Sequence, residues 1–360
     1  MPVQEEKTED KQTLFIESLI DKMNIEEQAA QLFVISLETG SNTFSNPCEE
    51  LKDFISASMA GGYILFNKNI TTVDGTRTLT DAVKEYSKTA PFISIDEEGG
   101  AVSRLFSARL PGYTEQPSAG IVGAAGDVLK AYNTGRTIGQ VLNLIGVNLD
   151  FAPVADVLTV PNNKVIGVRS YGNDPGLVGD MIVSFQSGLR SHGIMSSPKH
   201  FPGHGNTSSD SHYGIAIINS DHEHLANVEY KPFIRAIDNG CEFVMVGHIT
   251  APKADPGGLP ASLSSFFVTD TLRSALGFEG VIITDAMNMG AIANIYPSSQ
   301  ASVMAISAGV DMILMPKNYT DALNGVLNAI NNGTISHERI RESLRRILRT
   351  KISAGMIPID

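Results

Sequence analysis

Cysteine is nearly absent from this chain: Cys48 and Cys241 are the two that occur in 360 residues, far apart and without metal-ligand spacing. That excludes a disulfide framework or a thiolate zinc site as the basis of the fold. Positive charge is also scarce, with 27 Lys and Arg against 39 Asp and Glu for a net charge of −12, and no basic run offsets the deficit locally. Nucleic acid would be repelled and is not expected as a partner. No apolar run approaches the ~20 residues that span a membrane as a helix. Residues 1–13 (MPVQEEKTEDKQT) lack the basic and apolar segments of a signal peptide and read as a polar tail ahead of one large domain, 14–360. Such a tail suits a cytoplasmic protein and equally the mature part of an exported one. No Pro/Gly/Ser-rich linker, repeat or low-complexity block divides the remainder.

What the chain does have is apolar residues, 42% of the total, arranged as strand-length runs between stretches of helical periodicity. Eight such runs stand at 31–37 (QLFVISL), 62–66 (GYILF), 91–96 (PFISID), 147–152 (VNLDFA), 195–200 (MSSPKH), 242–248 (EFVMVGH), 281–285 (VIITD) and 311–315 (DMILM). Gly61 and Gly62 make the second the weakest. Several runs close on a residue able to do chemistry: Asp96, Lys199 with His200, His248 and Asp285. In a (β/α)8 barrel the C-terminal strand ends converge on one mouth, so the pattern predicts a single TIM-type α/β barrel, with irregularity allowed in the early strands. A doubly wound open sheet is the alternative. Two helices have clear limits: residues 174–192 start at Asp174 before Pro175 and stop at Gly193, and residues 337–352 place Ile340, Leu344 and Ile347 on one face.

The most informative segment is 199–213, KHFPGHGNTSSDSHY, which sets three histidines, a lysine and an aspartate among glycines directly after a strand. That composition predicts a loop over a site. Asp210 and His212 stand one residue apart, so on an extended chain their side chains share a face, and the carboxylate would fix one imidazole tautomer and raise its basicity. This is what a general acid/base near neutral pH requires. His200, His204, Asp210 and His212 also have the donor types for zinc or iron, although their spacing fits no standard zinc pattern.

The segment KHFPGHGNTSSDSH resembles the signature loop of the β-N-acetylglucosaminidase branch of glycoside hydrolase family 3. Further pieces occur in family order: IDEEGG at 95–100 followed by Arg104 and Leu105, GVNLDFAPVADV at 146–157, GVRSYG at 167–172, MVGHI at 245–249, PASLS at 260–264 and ITDAM at 283–287. The resemblance implies a glycosidase with Asp285 as nucleophile and His212, supported by Asp210, as acid/base. It implies sugar contacts from Asp96, Arg104, Arg169, Lys199, His200 and, by position, His248. N-acetylglucosamine is implied at the −1 subsite, from cell-wall fragments or chitin-type oligosaccharides, with no metal or organic cofactor and a monomeric enzyme. Two departures stand out: Asn206 replaces an acid of the family pattern, and Ala101 a frequent arginine.

Plainer readings exist beside these. Asp285 could cap the next helix, Arg169 could pair with Asp174, and His248 reads equally as a satisfied core histidine. Asp150 and Asp156 read as structural hydrogen-bond acceptors, and Met287 and Met289 as packing. The implied reaction is double displacement through a glycosyl ester, with retention of configuration. A neutral histidine would also admit phosphate in the second step, so phosphorolysis is a rival, as is β-glucosidase activity. A non-catalytic glycan-binding barrel is the rival of a different class.

Overall fold

The computed structural model describes residues 2–40, 42–207 and 216–359. Each of the eight apolar runs carries a strand: β1 (Phe33–Ser36), β2 (Gly62–Leu65), β3 (Phe92–Ile95), β4 (Leu149–Asp150), β5 (Met195–Ser196), β6 (Phe243–Val246), β7 (Val281–Thr284) and β8 (Ile313–Leu314). Their residues are buried throughout apart from Ser36, as expected of strands covered on both faces. The glycine-diluted second run forms as regular a strand as its neighbours, because Gly62 sits where a Cβ would come within 2.9 Å of the Phe92 carbonyl.

The strands form a six-stranded sheet in the order β8-β1-β2-β3-β4-β5, every pair parallel, while β6 and β7 pair in parallel with each other. Single parallel bridges link the two groups, Phe201 to Val246 on one side and Ile283 to Met312 on the other. Backbone hydrogen bonds cross both joints, Met245 N to Pro198 O at 3.0 Å and Thr284 N to Met312 O at 3.1 Å, but no regular ladder of paired residues forms at either. Beyond β5, Pro198 and Pro202 offer no N–H to a ladder. Between β7 and β8, side chains take ladder positions: Asp311 Oδ2 accepts from Ile282 N at 3.0 Å and Thr284 Oγ1 from Leu314 N at 3.1 Å.

Helices lie between the strands. The first, α1 (Pro2–Asp21), runs across the boundary placed at residue 13 from the sequence. Among the others, α2 (Pro175–Arg190) starts as its sequence predicts, with the Asp174 carboxylate accepting from Leu177 N at 2.7 Å, and the chain turns away at Gly193, φ +73°. The last, α3 (His337–Ser353), buries Ile340, Leu344 and Ile347, each worth about 1.5–3 kcal/mol by burial. Its arginines Arg341 and Arg345 reach back to Glu17 in α1. No described helix is long and apolar enough to cross a membrane.

Candidate active site

Beyond the C-terminal ends of the strands lies a cavity of about 400 Å3, lined by residues at or after the ends of β2, β3, β4, β5, β7 and β8. Asp96, Arg104, Arg169, Lys199, His200 and Asp285 all border it. They come from segments 189 residues apart in the chain, Asp96 to Asp285, and only the convergence of strand ends brings them together.

The IDEEGG segment continues β3 as extended chain, so alternate side chains face opposite ways. Asp96 and Glu98 face the cavity, while Glu97 turns inward to accept from Leu105 N and the Tyr113 hydroxyl, both at 3.0 Å. Gly100 ends the run with φ +55°, where a Cβ would lie 2.5 Å from the Ser118 Cβ.

A chain of ion pairs lines this wall. Asp96 accepts from Lys199 Nζ at 2.7 Å and from Arg104 Nη2 at 3.2 Å. Lys199 Nζ also lies 2.7 Å from Glu98, and Glu98 takes Arg169 through two bonds of 2.8 Å. Arg169 thus pairs with Glu98 and not with Asp174, which is engaged in capping α2. Sequence reasoning missed Glu98; the signal was its place two residues after Asp96 on an extended run. Burial pushes the Glu98 carboxyl up, but Arg169 and Lys199 outweigh it and hold it well below the ordinary glutamate value. Burial likewise pulls Lys199 down, and Asp96 with Glu98 holds it above the usual lysine value.

Asp285 follows β7, its backbone N–H bonded to Val246 O at 2.8 Å and one carboxylate oxygen accepting from Ala286 N at 2.7 Å. Burial raises its pKa, and the His200 and His248 rings, the Ala286 N–H and Lys199 together outweigh that, leaving the group below the ordinary aspartate value. It is held as an anion at the cavity. His200 borders the same space, its Nδ1 2.7 Å from Asp156 Oδ2 and its Nε2 3.4 Å from Arg169 Nη2.

The other histidines are placed differently. His248 is buried, with Nδ1 2.8 Å from Ser262 Oγ and Nε2 3.0 Å from Ala286 O, so it supports the turn beside Asp285 and does not line the cavity. His204 does line it; its Nδ1 lies 2.7 Å from Thr207 Oγ1, and burial lowers its pKa. Met289 borders the cavity, whereas Met287 is packed inside. Asp150 accepts from Glu97 N at 2.9 Å and, fully buried, is pushed well above the ordinary aspartate value. Asp210 and His212 lie outside the described residues. Asn206, just ahead of them, points away from the cavity, donating to Ser220 Oγ at 2.8 Å and Glu229 Oε1 at 3.2 Å. Among the described residues no three His, Cys, Asp or Glu side chains form a group able to hold a metal ion.

The sequence profile of the "Glycosyl hydrolase family 3 N terminal domain" matches residues 24–350. A "Beta-hexosaminidase A" of Pseudoalteromonas piscicida is 31% identical over 329 residues, which is 84% of this chain and 55% of that protein. A "Beta-hexosaminidase" of Hydrogenovibrio crunogenus is 31% identical over 87% of each chain. Among solved structures, a glycoside hydrolase family 3 beta-N-acetylglucosaminidase from Paenibacillus sp. superposes with a TM-score of 0.87 at 33% identity, covering 94% of this chain and 65% of that one. The chain therefore spans little more than half of the Pseudoalteromonas relative and under two thirds of the Paenibacillus enzyme. With the family profile matched over most of its length and relatives above 30% identity, the chain belongs to glycosyl hydrolase family 3.

Proposed function

We propose that this protein is a retaining β-N-acetylglucosaminidase that removes terminal β-linked N-acetylglucosamine from cell-wall fragments or chitin-type oligosaccharides. The observation that carries the reading is Asp285, an aspartate kept ionised at a cavity also lined by the ion-paired chain of Asp96, Lys199, Glu98 and Arg169. An ionised carboxylate is the nucleophile the first step needs, and the paired groups offer donors and acceptors for sugar hydroxyls without reorganisation.

In this mechanism Asp285 attacks the anomeric carbon while His212, supported by Asp210, protonates the departing oxygen. A glycosyl ester on Asp285 results. Water, deprotonated by His212, then attacks the same carbon and releases the sugar with retained configuration. Asp96, Arg104, Arg169, Lys199 and His200 hold the −1 sugar, while His248 acts through Ala286 on the nucleophile's turn. We read the fold as one (β/α)8 barrel domain, the β6–β7 pair filling the gap between the edges of the six-stranded sheet, and the protein as a monomer.

The test is hydrolysis of p-nitrophenyl N-acetyl-β-glucosaminide by wild type and Asp285→Ala, with the first-formed anomer read by NMR. Turnover lost in the variant by a factor of ~10^3 or more and a β-anomeric product are expected. Equal rates for the two proteins, or an α-anomeric product, would overturn the reading. A sugar 1-phosphate formed in phosphate buffer would replace hydrolysis by phosphorolysis.

A further inference from the structure

Asp156 lies in the APVADV stretch after β4, fully buried, and its carboxylate is shared among three donors. One oxygen accepts from the backbone N–H of His200 at 3.2 Å and of His204 at 2.6 Å. The other lies 2.7 Å from His200 Nδ1. The chain here is fixed by its own backbone, since Val154 bridges to Lys199 and Ala155 N donates to Lys199 O at 2.6 Å. His200 Nε2, on the far side of the ring, meets Arg169 Nη2 at 3.4 Å.

We propose that Asp156 is a positioning residue that fixes the His200 ring as its Nδ1–H tautomer, leaving Nε2 as an acceptor beside Arg169, and that clamps the start of the catalytic loop through His204. A carboxylate only accepts, and a guanidinium only donates. A neutral ring between them has one arrangement that satisfies both: Nδ1–H toward Asp156 and the Nε2 lone pair toward Arg169. The opposite tautomer sets lone pair against carboxylate and N–H against N–H, two mismatches in a buried place. The His200 ring also faces His204, at 5.9 Å between ring centroids. A fixed acceptor at Nε2 helps hold Arg169 Nη2 in place at the cavity, where the guanidinium meets a substrate. This consequence for binding rests on the glycosidase reading above, whereas the tautomer itself does not.

The experiment is a two-bond 15N–1H correlation spectrum of ligand-free, 15N-histidine-labelled protein at a pH where the ring is neutral, with His200→Gln assigning the signal. The Nδ1–H pattern is expected for wild type; an Nε2–H pattern overturns the proposal. Asp156→Asn keeps an oxygen for the two backbone N–H groups but turns an amide donor on Nδ1, so His200 should switch to Nε2–H. The KM for p-nitrophenyl N-acetyl-β-glucosaminide should then rise about tenfold or more. A role confined to scaffolding would lower the active fraction and hence kcat, leaving tautomer and KM unchanged, and that result also overturns the proposal. If Asp156→Asn does not fold, the wild-type tautomer alone decides. Should wild type hydrolyse no N-acetylglucosaminide, the functional reading falls, while the spectrum still reports on Asp156.

Discussion

Glu98 holds Arg169 through two hydrogen bonds of 2.8 Å and takes Lys199 Nζ at 2.7 Å with the same buried carboxylate. The loop after β4, the end of β5 and the end of β3 are thereby fixed to one another at a single point. Two cations from distant parts of the sequence share this one acid, and Lys199 has Asp96 as a second partner at 2.7 Å.

Glu98→Gln should cost about 3–5 kcal/mol of unfolding free energy, because it leaves two buried cations short of a counter-charge. The pH dependence has a definite sign. The folded-state pKa of Glu98 is depressed, so between that value and the ordinary glutamate value the unfolded chain binds more protons. The contribution is complete above the ordinary glutamate range and is lost as pH falls below it. Urea titrations of both proteins at neutral and acid pH should show the difference narrowing in acid; a neutral-pH difference under ~1 kcal/mol would mean that the pairing does not stabilise the site.

Asn206 joins the chain before residues 208–215 to Ser220 after them, and also donates to Glu229. Glu229 is fully buried, and burial raises its pKa against the opposing effect of His224. Asn206→Asp would remove the donor and set a second carboxyl against the first. A loss of roughly 1–3 kcal/mol at neutral pH is expected. A group with a raised folded pKa contributes fully below its unfolded value and loses that contribution as pH rises through the folded one. The variant should therefore approach wild type in acid and fall away from it on the alkaline side. Identical urea midpoints across that range would refute this account of the loop base.

Lys351 in α3 is fully buried, its Nζ 2.9 Å from Gln31 Oε1 and 5.0 Å from the centre of the Phe92 ring. Burial pulls its pKa down from 10.5 to about 7. Between those values the unfolded chain holds the extra proton, so this group makes stability rise with pH across that window and lowers it fully below about 7. Lys351→Met should stabilise the protein by roughly 2–4 kcal/mol at mildly acid pH, after allowing for the Gln31 oxygen left without its donor. The gain should vanish towards pH 10. Thermal unfolding at three pH values checks it, and a gain independent of pH would point to packing instead of charge.

The sequence by itself determined where the strands lie, where α2 starts and stops, and which chemical groups stand at strand ends. These follow from short-range rules: runs of apolar residues, an Asp before a Pro, alternation along extended chain. That is why Asp96, Lys199, His200 and Asp285 were legible as neighbours of one mouth. Only the tertiary structure decided the partners. Arg169 meets Glu98, 71 residues away, and not the nearby Asp174; Asp156 meets His200 across 44 residues; His248 turns both ring nitrogens to Ser262 and Ala286 beside the cavity. It also decided that the pairing beside β6 and β7 is irregular, with side chains of Asp311 and Thr284 taking some of its hydrogen bonds, and that Asn206 meets Ser220 and Glu229. Periodicity reports which way a side chain leaves its own strand. Which charge it meets depends on the stagger and curvature with which strands pack side by side, a property of the whole sheet that no local run of residues carries.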